Sequence, residues 1–402
     1  VIAPQSSRAS GGIGWIGAGT PLVLFVTLGL PAGALGVAWP YMRDSLHAPL
    51  AGLGLLLAAF TVAYFVASAS SGPLRGRAGT RILLIVGCGL AGAGLLGLSL
   101  ATAWWMVPLV SLLSGAGSGF IDAAANAHTS LNRGVRYMGW LHASWAVGAA
   151  LGPLVVVVSI GLTGSWRASF TAVAVAFFAV GLLVGYRRHD WIDTAPGLNR
   201  LSPDAAAQLS TRRRALMLLI GLFVLGAGLE GTAGDWSYTQ LTAGRSLSAG
   251  LASLGAALFW SGLAGGRVAL GLLGNRATPV RLLDISVGVA TLAALVFWLA
   301  PPLVSALIAL PILGAAVSVI FPLLLSITPS RVGAAMTSHA VGYELAAGTL
   351  GGGGLPALTG LVLQSAGLVS LGPLLFAMAA GLTFLHVSSR VGTPPAGSET
   401  AR

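Results

Sequence analysis

The chain of 402 residues contains no lysine; all 21 of its basic residues are arginine. Charge of either sign is scarce, at 8% of residues, against about a quarter in a soluble domain. Such a chain cannot clothe a water-facing surface, so its solvent is expected to be largely lipid. A single cysteine, Cys88, excludes an internal disulfide. There is no phosphate-cradling loop, so a pump driven by ATP would need one on a partner. No zinc-ligand spacing and no nucleophile-and-base set rises above noise. His128 and His142 fall on separate predicted helices without further matched ligands, which is too little for a metal. The reading is therefore a non-enzyme with no metal and no cofactor.

What is present is apolar sequence. Hydrophobic residues make up 55% of the chain, and runs long enough to span a bilayer, about 20 residues, recur throughout. Twelve spans are predicted, over 20–42, 50–72, 81–102, 106–129, 136–160, 166–186, 214–236, 249–272, 280–300, 302–327, 333–363 and 368–388. The eleventh contains Gly351 to Gly354 and Pro356, which predicts a kink or partial unwinding there.

The net charge of +11 would point to nucleic acid in a soluble protein. Here the arginines sit in short connections between apolar runs, so they report topology instead. With the N-terminus cytoplasmic, 17 arginines fall inside and three (Arg43, Arg167, Arg245) outside, with Arg267 within the eighth span. That asymmetry predicts both termini inside, in a multi-pass protein of the inner (cytoplasmic) membrane. The expected division is a cytoplasmic tail over 1–19, a six-helix bundle over 20–186, a polar cytoplasmic linker over 187–213, a second six-helix bundle over 214–388 and a tail over 389–402.

The two bundles repeat. Ala51-Gly52-Leu53 matches Ala249-Gly250-Leu251 at an offset of 198, and Trp39-Pro40-Tyr41 matches Trp236-Ser237-Tyr238 at 197. Gly72 to Arg77 matches Gly271 to Arg276 at 199, and Arg133 matches Arg331 at 198. Four pairs at nearly one offset, in chain order, indicate two parallel six-helix repeats, a known membrane architecture.

Over nearly its whole length the chain resembles the major facilitator superfamily. That family's loop between the second and third helices follows the pattern G-x-L-a-D-r-x-G-r-r. The present loop reads Gly72-Pro73-Leu74-Arg75-Gly76-Arg77-Ala78-Gly79-Thr80-Arg81. Gly72, Leu74, Gly79, Arg77 and Arg81 match, while Gly76 stands at the acid position, so the charge lock which the family builds there lacks its acid. Three stretches are similar to the fucose-permease-like branch of sugar permeases: the fourth helix with LHASWAVGAALGPL, the seventh-helix run GLEGTAGDWSYTQL, and FPLLLSITPS with GTLGGGGLPALTG. The resemblance implies a transporter with alternating access, binding its substrate between the halves.

Polar residues within the spans mark the candidate site, because such groups are costly in lipid unless they serve a purpose. Asp122 has Asn126 one turn later on the same face, and His142 and Trp145 follow in the next helix. An intramembrane carboxyl commonly pairs with a buried cation or exchanges a proton. Asp122 has no acidic counterpart in the second half, where Ile320 takes its place, which favours a role in a site. Asp122, Glu230 and Glu344 are the proton-coupling candidates. Substrate-binding candidates are Asn126, His142, Trp145, Phe60, Tyr64, Trp260, His339 and Tyr343. Gly72, Arg77, Gly79, Arg81, Arg267 and Asp235 are assigned to structure or gating, with Arg267 a partner for one of the acids. The expectation is proton-coupled uptake of a small polar substrate such as a sugar, by a monomer in the lipid bilayer that binds no nucleic acid. Efflux of drugs or amphiphilic metabolites is the alternative.

Overall fold

The computed structural model describes residues 15–132, 134–191, 203–273, 276–333 and 337–390. Among these residues every regular element is helical. This is what lipid requires of sequences rich in Leu, Ala, Val and Gly, since a helix satisfies all its backbone groups internally. Among the described residues twelve helices are long and apolar enough to cross a membrane. They are α1 (Trp15–Leu46), α2 (Gly52–Ala78), α3 (Thr80–Leu100), α4 (Met106–Asn132), α5 (Gly134–Thr163), α6 (Arg167–Tyr186), α7 (Pro203–Thr239), α8 (Ala249–Leu273), α9 (Pro279–Leu299), α10 (Pro302–Val332), α11 (Thr337–Ala366) and α12 (Leu371–Arg390). Each predicted span falls on one of them.

The packing repeats with the sequence. In the first six helices α1 packs on α5, α4 on both α2 and α3, and α6 on α3 and α1. In the last six the equivalent pairs recur: α7 on α11, α10 on α8 and α9, and α12 on α9 and α7. The contacts between the halves are symmetric too, with α5 on α8, α2 on α11, and α1 on α7 at the centre.

Two of the three arginines that set the predicted outer face close equivalent helix ends. Arg167 Nη1 donates to the carbonyls of Ser99 and Ala101 at 2.8 and 2.5 Å, where α3 ends. Arg245 donates to the carbonyls of Trp298 and Ala300 at 2.8 and 3.1 Å, where α9 ends. Both occupy the site where carbonyls are left without a helical donor and where the helix dipole favours a cation. Trp166, one residue before Arg167, is buried and donates to Ser45 Oγ at 2.9 Å.

The halves meet at the end of the bundle where α1 finishes and α2 begins, here the Tyr41 end. Gly36 of α1 lies on the backbone of Gly234 and Asp235 in α7, where a Cβ would sit 2.7 Å from the Gly234 carbonyl oxygen. Gln364 of α11 accepts from the Ala51 amide at 2.8 Å, and the Tyr41 and Tyr238 hydroxyls lie 3.3 Å apart.

The expected unwinding of the eleventh span does not occur: α11 is helical through the four glycines and Pro356. The glycines serve packing instead. Gly351 lies against the Val224 carbonyl of α7 and Gly353 against the Thr61 hydroxyl of α2, each closer than a Cβ would allow. Small residues let backbones approach in this way in lipid.

Candidate functional site

The first polar cluster lies between α2 and α4. Gly115 and Gly119 of α4 face the carbonyls of Phe60 and Tyr64, where added Cβ atoms would come within 2.2 and 2.4 Å. This close approach brings the Tyr64 side chain to the acid: its hydroxyl donates to Asp122 Oδ2 at 2.5 Å. Asn126, one turn along α4, donates from Nδ2 to Asp122 Oδ1 at 2.9 Å and to the Asp122 carbonyl at 3.0 Å. Phe60 stacks on Tyr64 with ring centroids 6.0 Å apart. No cation pairs with Asp122 among the described residues, and Asn126 Oδ1 is buried with no donor.

The second cluster lies where α5, α7 and α8 meet. Arg267 of α8 is 3.9 Å from Glu230 of α7 and donates from Nη1 to the His142 carbonyl of α5 at 3.2 Å. Its guanidinium lies over the Trp145 ring, 5.7 Å from the centroid, a cation–π arrangement. Trp145 and Trp260 meet edge to face at 5.7 Å. Gly234 leaves room for the Trp260 ring, which would lie 2.5 Å from a Cβ there. The Trp260 Nε1 donor is buried and has no acceptor among the described residues. Arg267 thus bridges the halves, holding an acid of one and a backbone carbonyl of the other.

The remaining candidates are spread out. His142 makes an edge contact with Phe25 at 5.9 Å, and among the described residues no hydrogen bond joins it to Asp122. Glu344 is fully buried between α10 and α11, with both its oxygens 2.9–3.0 Å from Thr328 Oγ1. Tyr343 is 47% exposed, and the side chain of His339 falls outside the described ones. Asp235 is buried on α7 beside Gly36. In the loop between α2 and α3, Gly79 adopts φ +86° and its N–H donates to the Arg75 carbonyl at 2.8 Å. That conformation favours glycine. Gly72, Gly76 and Arg77 are exposed, and no ion pair involves Arg77 or Arg81 among the described residues.

Three groupings went unrecognised in the sequence. The Tyr64–Asp122 bond joins residues 58 apart, with only the α4 glycines to announce the approach. Thr328 bears no mark that separates it from other membrane threonines. Asp284 pairs with Arg390 at 2.9 Å and His386 at 2.7 Å, and not with the nearby Arg276 or Arg281. The repeat made Tyr41 and Tyr238 equivalent positions, and the structure brings their hydroxyls within 3.3 Å of each other.

These features define a class: a twelve-span membrane protein of two repeated halves, with carboxyls, an arginine and aromatic rings gathered in and between them. Comparison with known proteins agrees. The family model of the Major Facilitator Superfamily matches residues 22–356, and the chain belongs to that superfamily. It is a transporter of the major facilitator type. Among solved structures the fold is similar to the nucleoside transporter NupG, with TM-score 0.76 at 15% identity, covering 93% of this chain and 99% of that one. It is also similar to the Escherichia coli fucose:proton symporter FucP, with TM-score 0.63 at 17% identity, covering 93% and 98%. A bacterial homologue of the human lysosomal transporter Spinster, in an inward-facing and unoccupied conformation, gives TM-score 0.67 at 15% identity, over 94% and 95%. In sequence, 147 residues are 32% identical to the class B tetracycline resistance protein of Escherichia coli, a match over 34% of this chain. It spans about a third of that relative's length, 36%.

Proposed function

We propose that the chain is a secondary transporter that couples proton entry to uptake of a small polar substrate such as a sugar, by alternating access between its halves. The observation that carries this reading is Asp122: a carboxyl inside a bundle, held by Tyr64 and Asn126 and paired with no cation among the described residues. Such a group can take up a proton from one side and release it to the other. Asn126 Oδ1 and Trp260 Nε1 are an acceptor and a donor without partners among the described residues, suited to hydroxyl groups of a substrate. Phe60, Tyr64, Trp145 and Trp260 supply flat faces for its ring. Glu230, held by Arg267, is the second coupling carboxyl, and Arg267 links its state to the opposite half. Tyr343 and His339 of α11 remain candidates for the substrate path.

The arginine distribution supports a cytoplasmic N- and C-terminus in the inner membrane, which makes the Tyr41 end the outside. The tails, linker and bundles then divide as the sequence predicts, and the chain acts as a monomer. The test is transport in proteoliposomes. Asp122→Asn abolishes accumulation driven by a pH gradient while exchange of substrate persists in part; undiminished accumulation removes Asp122 from coupling.

A second reading is proton-driven efflux of amphiphilic compounds. The partial identity with the tetracycline resistance protein favours it. Drug resistance on expression, without substrate-dependent proton entry, would establish it over uptake.

A further inference from the structure

Asp122 has a donor on each of its oxygens, and the two donors differ in freedom. Asn126 Nδ2 donates to Asp122 Oδ1 at 2.9 Å and also to the Asp122 backbone carbonyl at 3.0 Å. Two acceptors around one nitrogen fix which way the amide points. Turning it over would set Asn126 Oδ1 against that carbonyl oxygen. Asp122 Oδ1 therefore always faces an N–H, which leaves no room there for a second hydrogen. Oδ2 faces the Tyr64 hydroxyl, 2.5 Å away. A phenol can accept as well as donate, so Oδ2 is the oxygen at which this carboxyl can be protonated.

Accepting from Asp122 obliges Tyr64 to turn its own hydrogen elsewhere, because a buried donor left unpaired is costly. An acceptor is at hand. The Ser68 hydroxyl, one turn along α2, interacts with that of Tyr64 and donates to the Gly119 carbonyl of α4 at 3.2 Å. A serine oxygen keeps lone pairs for accepting while it donates. Both charge states are then satisfied. In the ionised state Tyr64 donates to Oδ2. In the neutral state the Oδ2 hydrogen is donated to Tyr64 Oη, the Tyr64 hydrogen to Ser68 Oγ, and the Ser68 hydrogen to the Gly119 carbonyl. One proton is gained at Oδ2, no other covalent bond changes, and the Tyr64 hydrogen turns about its C–O bond. Gly119 makes this possible, since a Cβ there would lie 3.1 Å from Ser68 Oγ and 2.4 Å from the Tyr64 carbonyl oxygen.

We infer that Tyr64 and Ser68 form a hydroxyl relay that reverses with the charge of Asp122, so that the acid gains and loses its proton between α2 and α4 without either helix moving. They are positioning residues, acting through Asp122. The inference rests on the reading of Asp122 as the coupling acid and adds the residues that govern its exchange. Of the described side chains, only Tyr64 and Asn126 bond to Asp122. The other titratable and charged groups on α4 and the helices packed against it lie elsewhere along them. α2 bears Arg75 and Arg77 in its last turn. α3 bears Arg81 in its first turn, and Cys88, which lies against Gly181 of α6. α5 bears Arg136 and Tyr137 in its first turn, and His142 against the Phe25 ring. On α4 itself, His128 lies against Trp191.

The experiment uses the purified full chain in lipid vesicles and needs no substrate. Infrared difference spectra are recorded as the pH is stepped over the range between ordinary carboxyl and phenol ionisation. Ring-deuterated tyrosine identifies the tyrosine bands. The wild type should gain a carboxylic C=O band that Asp122→Asn lacks, together with a change in a tyrosine C–O band. Tyr64→Phe should remove that tyrosine change, which assigns it. Asp122→Asn should remove it too, although Tyr64 is intact. Tyr64→Phe takes a donor from the ionised acid, and Ser68→Ala takes the acceptor that the neutral state needs. The two variants should therefore move the midpoint of the carboxylic band in opposite senses, which a general loosening of the helix contact would not do. The comparison of wild type with Asp122→Asn requires neither hydroxyl variant, so it decides the matter even if these fold poorly. An Asp122 band without a tyrosine change, or midpoints moved in the same sense, overturns the relay and leaves the coupling reading standing. No Asp122 band overturns both.

Discussion

Tyr41 and Tyr238 occupy equivalent places in the two repeats and touch each other, hydroxyl to hydroxyl, at 3.3 Å. A pseudo-twofold axis brings equivalent residues together only where they lie beside it, so this contact places the Tyr41 end of α1 and the Tyr238 end of α7 on the axis. The hydrogen bond is one of the few polar links between the halves among the described residues. Removing either hydroxyl should weaken the closed form by about 0.5–1.5 kcal/mol. The double variant Tyr41→Phe with Tyr238→Phe should cost no more than Tyr238→Phe alone, because the two hydroxyls share one bond. Spin labels on cysteines replacing Asp44 and Ser248, in a Cys88→Ser background, report the distance distribution. A larger open fraction in all three variants is the expected result, and sums that add in the double variant would argue against a shared bond.

The inter-half glycines set how tightly that end closes. Gly36→Ala brings a methyl against the Gly234 and Asp235 backbone, and Gly54→Ala brings one to 2.5 Å from the Ala357 carbonyl oxygen. Backbone cannot yield as a flexible side chain does. Overpacking of this kind costs about 1–3 kcal/mol, borne by the closed form alone. The same spin-label distances should lengthen in both variants, while Gly72→Ala, in open space, leaves them unchanged.

Arg267 is expected to tolerate little. Arg267→Ala leaves Glu230 without its cation and should cost about 1–3 kcal/mol, more than Arg267→Lys. Lysine keeps the charge but loses the planar group over Trp145 and the reach to the His142 carbonyl. The double variant Arg267→Met with Glu230→Gln should recover much of the stability, since no lone charge remains. Melting temperatures of the four proteins test this, and a double variant no more stable than Arg267→Ala would refute the pairing.

Glu344 should prove structural. The Thr328 hydroxyl has one proton and three oxygens near it, the Leu324 carbonyl and both Glu344 oxygens. An amide at 344 can donate to Thr328 Oγ1 while the hydroxyl donates to Leu324. Glu344→Gln should therefore keep both the fold and pH-driven accumulation. Thr328→Val, which strands a buried acid, should lower stability by about 1–3 kcal/mol. Loss of accumulation in Glu344→Gln would return it to the coupling path.

The fold was legible because lipid leaves few choices. Apolar runs such as Thr80–Leu100 and Pro279–Leu299 have one stable form in a membrane, and the near-constant offset between Trp39 and Trp236, or Arg133 and Arg331, revealed the repeat. The site was half legible. Asp122 and Asn126 share a face by helical spacing alone, and the structure bonds them. Arg267 was expected to partner one of the rare acids in the spans, and the structure places it beside Glu230. Partners from other helices were beyond reach: Tyr64 for Asp122, Thr328 for Glu344, and Arg390 for Asp284 depend on which helices pack and how deeply. The glycine run of α11 misled for the same reason. Gly351 and Gly353 look like breaks in isolation, yet Val224 and Thr61 fill the space their side chains would take.

The central claim is that Asp122 carries the coupling proton. The direct measurement follows a thermal-shift panel of sugars, nucleosides, amino acids and amphiphilic drugs, which identifies a ligand whatever the transport mechanism, because binding stabilises the folded state. Purified protein is then reconstituted with a pH-sensitive dye inside the vesicles, and internal acidification is recorded when that ligand is added. Wild-type vesicles should acidify, while Asp122→Asn vesicles should bind the ligand and show no ligand-dependent acidification. Equal acidification by the two proteins would contradict the account.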